Sequence, residues 1–183
     1  MKLISTILEG VKVIEAVTLR DERGEFSRIF CEDELEQALN GKTIKQINRS
    51  ITCTVGAIRG LHYQNLPYAE IKIIRCLAGR VFDVVVDLRK DSPTFLQWFG
   101  VELSPESNKA HVIPEGCAHG FQVLEENSEL LYFHTAPYVS ASEAAIRFDD
   151  PMIDIVWPII PSELSQRDQS HPYLNKDFQG ILI

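Results

Sequence analysis

The chain has 183 residues and carries 18 Lys and Arg against 26 Asp and Glu, so its formal net charge is −8. This length predicts a single domain, residues 1–183, that is long enough to bury a core. The hydrophobic fraction of 45% argues against wholesale disorder. The acidity argues against a nucleic-acid or membrane-surface partner, but it leaves open a locally basic site for a small anion.

The sequence predicts neither a membrane protein nor a secreted one. No segment approaches the roughly 18 continuous apolar residues of a membrane span, and the N-terminus turns polar too early for a signal peptide. The cysteines are widely spaced and form no CxxC pair, which predicts reduced thiols in a cytoplasmic protein rather than a zinc or redox motif. They are Cys31, Cys53, Cys76 and Cys117.

The first third of the chain contains one predicted helix. A partly alternating strand over 11–17 meets a turn signal at Asp21–Gly24. Glu32–Leu39 follows with apolar residues on one side, acidic residues at its start and Asn40-Gly41 as its stop.

From Thr43 onward the chain reads as short strands with turns roughly every ten residues, which predicts a sandwich or barrel. Ala78-Gly79-Arg80 predicts a hairpin, and the apolar run 82–86 predicts a strand buried on both faces. After about Tyr138 the chain is looser, and Ser142–Ala145 predicts the start of a short helix. The candidate strands are 44–51, 57–63, 70–77, 80–88, 98–103, 110–113, 120–124 and 129–135.

Two dense clusters could carry chemistry. Arg59–Gln64 combines Arg, His and Tyr within six positions, and 113–121 contains a PxGxxH run that is typical of double-stranded β-helix (cupin-type) barrels. His62, Gln64, Glu70 and His119 could form an iron or manganese set. Because an amide is a weak replacement for imidazole, a barrel without metal, with His62 free for acid–base work, fits better.

Four further residues are candidates, and three of them have an ordinary structural explanation when taken alone. Lys72 could face solvent or line the barrel, Tyr132 could be core, Tyr138 could stack a planar ligand, and Asp168 could be a solvated loop acid. Together with His62 they supply a base, an acid, a cation for an oxyanion and a carboxylate that orients the base. This combination suits proton abstraction next to a carbonyl.

Over nearly its full length the sequence resembles the dTDP-4-dehydrorhamnose 3,5-epimerase family. The motifs that carry the resemblance occur in the family's order. They are 21–24, 46–50, 59–64, Lys72 in its strand, 81–89, 92–95, 113–121 and 150–158.

The resemblance implies a mainly β, cupin-type jelly-roll barrel with short flanking helices. It implies an isomerase that inverts C3 and/or C5 of an NDP-4-keto-6-deoxyhexose, such as dTDP-4-dehydro-6-deoxy-D-glucose on the rhamnose pathway. The family needs no metal or redox cofactor. It is usually a homodimer in which an N-terminal segment reaches the neighbouring site.

The resemblance also implies roles for individual residues. His62 falls on the base, Asp168 on its dyad partner, Tyr132 on the proton donor and Lys72 on the residue that stabilises the enolate. Tyr138 falls where the family stacks the thymine ring. The other substrate-contacting positions are Arg23, Gln46, Asn48, Arg59, His119 and Glu143.

Two residues depart from the family pattern. Arg28 stands where many members carry a substrate-contacting Glu, and Arg167 replaces a Lys before the dyad Asp. Both are kept as substrate-binding candidates. The departures bear on recognition of the nucleotide and sugar rather than on the enolisation chemistry. A mono-epimerase, a metal-dependent cupin oxygenase and a non-catalytic sugar-nucleotide binding module remain as alternatives.

The clustered cations raise a geometric question. Arg23, Arg28, Arg59, Lys72 and Arg167 all lie in or beside the site motifs, which predicts a basic site inside an acidic surface. Arg59 and His62 have opposite strand parity, however, so a bulge or twist is needed if both are to touch one ligand.

Overall fold

The computed structural model describes all 183 residues, and antiparallel strands dominate it. The strands of the first half are β1 (Lys2–Ser5), β2 (Lys12–Glu15), β3 (Thr18–Asp21), β4 (Gly24–Ser27), β5 (Gln46–Thr52), β6 (Ile58–Gln64) and β7 (Lys72–Ala78). Those of the second half are β8 (Val81–Asp87), β9 (Trp98–Leu103), β10 (Lys109–Ile113), β11 (Cys117–Val123), β12 (Ser128–His134) and β13 (Glu143–Ala145). The helices are α1 (Glu32–Leu39) and α2 (Gln166–Ser170).

Two antiparallel sheets face each other as a jelly-roll barrel, which confirms the mainly β prediction. The larger sheet has the order β1-β2-β10-β7-β12-β5 and the smaller one β13-β6-β11-β8-β9, while β3 and β4 form a separate hairpin. The core between the sheets joins Ile74 and Leu130 of the larger sheet to Val85 and Phe121 of the smaller one. Burial of such side chains is the main force holding the sheets together.

The outer faces of the two sheets are covered by different segments. Leu35 and Leu39 of α1 pack against Ile73 and Phe133 on the larger sheet. The C-terminal segment covers the smaller sheet, where Ile153 belongs to the buried cluster. No helix has the length and apolar character needed to cross a membrane.

The sequence predictions for α1 and for the strand at 80–88 are confirmed. The helix begins with three acidic residues and ends at Asn40, whose φ of 50° is left-handed. All residues of β8 except Phe82 are buried.

Two other predictions are wrong. Ala78-Gly79-Arg80 is no hairpin, because it carries the chain from the larger sheet (β7) to the smaller one (β8). Glu143–Ala145 is a strand rather than a helix, because it pairs with the edge of β6.

A β-bulge lies where β6 pairs with β11. It explains how Arg59 and His62 can face one ligand although they have opposite strand parity. His62 pairs with His119 and Arg59 with Phe121, so two residues of β6 lie opposite one residue of β11. The backbones nearly touch there, since a Cβ on Gly60 would lie 2.5 Å from the Cα of Gly120. The φ of Gly60 is +123°, a backbone conformation that residues other than glycine rarely adopt. The bulge turns Arg59 and His62 toward one cavity.

We therefore expect Gly60→Ala to lower the free energy of unfolding by at least about 3 kcal/mol, since backbone strain and overpacking add. Gly41→Ala is the matched control, because Gly41 also has a positive φ of +73° but nothing lies within 4 Å of its added Cβ. The control should lose only about 1–2 kcal/mol. Equal losses in chemical denaturation would show that the close approach to β11 is unimportant.

Candidate active site

A histidine and an aspartate that are 106 residues apart in the chain form a hydrogen-bonded pair. The Nε2–H of His62 on β6 donates to Oδ1 of Asp168 on α2 at 2.7 Å. Burial opposes ionisation of Asp168, but hydrogen bonds from His62, Ser165 and the Gly60 backbone outweigh it and lower the pKa of the carboxyl. The ionised carboxylate holds the imidazole proton on Nε2, which leaves a lone pair on Nδ1.

The short helix α2 fixes the position of Asp168. Ser165 precedes the helix, and its Oγ accepts a hydrogen bond from the Asp168 N–H at 3.0 Å. This is an N-cap, the arrangement that commonly starts a helix. The Asp168 residue is 4% exposed.

Two adjoining cavities meet beside this pair. The larger measures about 740 Å³ and the smaller about 230 Å³. Ser50, His62, His119 and Tyr132 line both, so these four side chains lie at the junction. A ligand that spans the two cavities would pass directly over His62 and Tyr132.

Tyr132 presents a phenol that stays protonated in this environment. Its hydroxyl lies 2.9 Å from the Oγ of Ser50 on the neighbouring strand. Burial raises the pKa of Tyr132 to about 12. The side chain can therefore donate a proton throughout the neutral range.

Lys72 lines the smaller cavity, so its interpretation as a solvent-facing residue is wrong. Its Nζ donates to the carbonyl oxygen of His62 at 3.2 Å and lies 3.5 Å from Oε1 of Glu70. Burial lowers the pKa of Lys72, and the Glu70 carboxylate opposes this change. Glu70 also accepts from Nδ1 of His134 at 2.8 Å. An ammonium has three donors, so one remains for a ligand.

Arg59 is the cation of the larger cavity that has no carboxylate partner. Its Nε donates to the Thr52 hydroxyl at 2.8 Å, and no acidic group lies within ion-pair distance. Arg167 is instead paired with Glu143 at 2.5 Å, and the Tyr138 hydroxyl donates to the same carboxylate oxygen at 2.7 Å. Arg59 is therefore free to bind an anion.

A buried charge network supports His119. Its Nε2–H donates to Oδ2 of Asp83, while the other carboxylate oxygen accepts from Nδ1 of His111, both at 2.8 Å. Burial opposes ionisation of Asp83, but the two imidazoles hold the pKa of its carboxyl below the ordinary value. Burial also lowers the pKa of His119. The sequence signal for this network was an Asp in an otherwise apolar strand, since a buried carboxylate requires partners.

The comparisons with known proteins give one consistent result. The family model for dTDP-4-dehydrorhamnose 3,5-epimerase matches residues 5–176. The chain belongs to this family. The enzyme of that name from Salmonella typhimurium is 42% identical over 179 residues, which cover 96% of this chain and 97% of the relative.

Solved structures agree with the family assignment. The dTDP-6-deoxy-D-glucose-3,5-epimerase of Legionella pneumophila, in complex with dTDP-4-keto-L-rhamnose, is 39% identical with a TM-score of 0.90 and covers 96% of this chain and 94% of that one. ChmJ, a 3'-monoepimerase from Streptomyces bikiniensis in complex with dTDP-quinovose, is 33% identical with a TM-score of 0.86, covering 93% and 86%. The chain thus has the cupin-type jelly roll of these epimerases.

Some of the residues predicted to contact the substrate lie near the cavities and others do not. Asn48 lines the smaller cavity, 3.4 Å from Nε2 of His134, and Gln46 accepts from the Tyr138 backbone at 3.1 Å. Arg23 lies on the exposed β3–β4 hairpin and pairs with Asp21. Arg28 pairs with Glu34, which also binds the terminal amino group. Three of the five predicted cations therefore surround the cavities within one subunit.

The alternative metal set is not assembled. The Gln64 amide binds the backbone of Tyr68, Pro137 and Val139. Glu70 accepts a hydrogen bond from His134, while His119 donates one to Asp83. These four side chains serve separate contacts rather than a common ion.

Tyr132 is one of five tyrosines. We expect it to remain un-ionised at pH values above the ordinary pKa of a phenol. A raised folded pKa means that its contribution to stability is complete below about pH 10 and is lost as the pH approaches 12. The difference between the ultraviolet pH titrations of the wild type and Tyr132→Phe should therefore contain no phenolate signal up to about pH 10. A phenolate signal with a midpoint near the ordinary value would contradict the burial argument.

Proposed function

We propose that the protein inverts C5 and C3 of dTDP-4-dehydro-6-deoxy-D-glucose and forms dTDP-4-dehydro-L-rhamnose. The observation that carries this proposal is the placement of the His62–Asp168 pair and the Tyr132 phenol at one cavity junction. Family membership supports the substrate class.

The first step is proton abstraction. The C4 carbonyl of the sugar acidifies the protons on C3 and C5, and the free nitrogen of His62 accepts one of them. Asp168 stabilises the resulting imidazolium, and such acid–base catalysis contributes roughly 10²–10⁴-fold. The Lys72 ammonium stabilises the negative charge that develops on the carbonyl oxygen.

The second step returns a proton to the opposite face. Tyr132 donates it, and Ser50 is placed to hydrogen-bond to the phenolate oxygen that remains. Return of the proton to the face opposite His62 inverts the carbon centre. Proton exchange with solvent then returns His62 to the neutral imidazole and Tyr132 to the phenol, and repetition at the second carbon gives the double epimer.

Binding of the nucleotide uses the outer parts of the cavities. Arg59 is the candidate for the diphosphate because no carboxylate neutralises it. Tyr138 is half exposed and is the candidate for stacking on the thymine ring. Glu143, Arg167, Asn48 and His119 line the two cavities and are further candidates for substrate contacts.

The working enzyme is proposed to be a cytoplasmic homodimer. Arg23 is 85% exposed on a hairpin that carries exposed Leu19 and Phe26, and it does not reach the cavities of its own subunit. Docking of this hairpin on a second copy would bury its apolar side chains and bring Arg23 to the neighbouring site.

Mono-epimerisation is the second candidate, and it is favoured by the similarity to the 3'-monoepimerase ChmJ. The catalytic groups named above serve either outcome, because each inversion needs one base and one acid.

Incubation with dTDP-4-dehydro-6-deoxy-D-glucose in D₂O tests the reaction. We expect deuterium at both C3 and C5, read by NMR and mass spectrometry. Deuterium at one carbon would support the mono-epimerase, and no incorporation by folded protein would sink the substrate assignment. His62→Ala should lower exchange at least about 10²-fold while dTDP binding, measured by calorimetry, stays within a few-fold of the wild type.

Hybrid dimers test whether the hairpin crosses between subunits. We expect His62→Ala and Arg23→Ala each to be impaired as homodimers. When the two are co-expressed, half of the dimers are hybrids with one intact site, so activity should recover to about a quarter of the wild type. The control is a mixture of the two variants purified separately without subunit exchange. If Arg23 serves its own subunit, co-expression should give no recovery.

A further inference from the structure

The helix that carries Asp168 also brings a second imidazole to the catalytic pair. His171 follows the last residue of α2, and its ring centroid lies 6.4 Å from that of His62. One ligand atom from each of His62, Asp168 and His171 lies within 4.8 Å of the other two. The proton exchange proposed above assigns no role to His171.

The shielded nitrogen of this cluster that lacks a hydrogen-bond partner belongs to His171. Its Nε2 is shielded from solvent and has no hydrogen-bond partner. A shielded nitrogen without a partner is uncommon, because leaving it unsatisfied costs free energy. In the tautomer that carries its proton on Nδ1, this nitrogen offers a lone pair to a cation.

We propose that His62, Asp168 and His171 form a binding site for a divalent transition-metal ion of the zinc type, and that the bound ion inhibits the enzyme. Two imidazole nitrogens and one carboxylate oxygen are a common protein ligand set for Zn²⁺. His62 and Asp168 both line the larger cavity, so a fourth position lies open to water or substrate. Inhibition rests on the proposed function, whereas binding of the ion does not.

Inhibition follows from the proton balance. In the free enzyme, the Nε2–H of His62 points at Asp168 at 2.7 Å. An ion held between these two side chains takes the Nε2 lone pair, and the ring proton then resides on Nδ1. No nitrogen of His62 is left to accept a proton from the sugar. The ion therefore competes directly with catalysis.

The ligand chemistry also predicts selectivity. Imidazole nitrogens suit Zn²⁺, Cu²⁺, Ni²⁺ and Co²⁺, whereas Mg²⁺ and Ca²⁺ prefer sites built from oxygen. Millimolar Mg²⁺ should therefore leave the enzyme active. Ions of the first group should inhibit it reversibly, and a chelator should restore activity.

Binding is tested on full-length, tag-free, reduced protein with Co²⁺ by visible absorption and Zn²⁺ by calorimetry. His171→Asn removes the ligand, and Ser170→Ala is the matched control because Ser170 is exposed next to it. We expect one ion per chain for the wild type and the control, with binding at least about tenfold weaker for His171→Asn. Equal affinity in all three proteins, or no binding, overturns the proposal. A thiolate charge-transfer band would place the ion on exposed Cys53 and also overturn it.

Deuterium exchange gives the second measurement. Without metal, His171→Asn should exchange at the wild-type rate, and Zn²⁺ should then inhibit the wild type and Ser170→Ala but not His171→Asn. Inhibition that is equal in all three proteins overturns the site. If the metal binds through His171 but the metal-free wild type shows no exchange, the site stands and the proposed epimerase function fails.

Discussion

The site depends on the close approach of two glycine-containing strands. A Cβ on Gly60 would lie 2.5 Å from the Cα of Gly120, and one on Gly120 would lie 2.7 Å from the carbonyl oxygen of Arg59. The glycines allow this close approach at the bulge, where β6 has one residue more than β11. The bulge brings Arg59 and His62 to one cavity. The Gly60 backbone also helps to lower the pKa of the Asp168 carboxyl. One backbone feature therefore positions the candidate anion-binding residue and the candidate base, and the base is in turn hydrogen-bonded to its partner Asp168.

The cavities of this acidic protein have no uniform basic lining, because most of the cations around them are paired with a carboxylate. Lys72 shares Glu70 with His134, and Arg167 is paired with Glu143. A buried ion requires such partners, because desolvation alone would cost several kcal/mol. Arg59 lies apart from this scheme, so its charge is available to an anion. A net charge of −8 is thus compatible with a diphosphate ligand.

Local signals in the sequence were sufficient for α1 and β8, where apolar spacing and a stop residue agree with the packing. They failed where distant segments decide the structure. Glu143–Ala145 becomes a strand because the edge of β6 supplies its backbone hydrogen bonds, and Gly79 joins two sheets rather than two paired strands. The family resemblance supplied roles for site residues. It did not supply His171, because a lone His after a polar stretch carries no signal until the fold places it beside His62.

The position of Asp168 is determined by backbone contacts of the segment that precedes it. The Ile58 N–H donates to the carbonyl oxygen of Glu163, and the Ser162 N–H donates to that of Gly56, so the C-terminal segment binds alongside the start of β6. Ser165 then caps α2 and orients the carboxylate. The two members of the pair are 106 residues apart in the chain, yet both are positioned by β6. The geometry of the dyad therefore follows from docking of the C-terminal segment on β6, and this docking brings His171 to His62 at the same time.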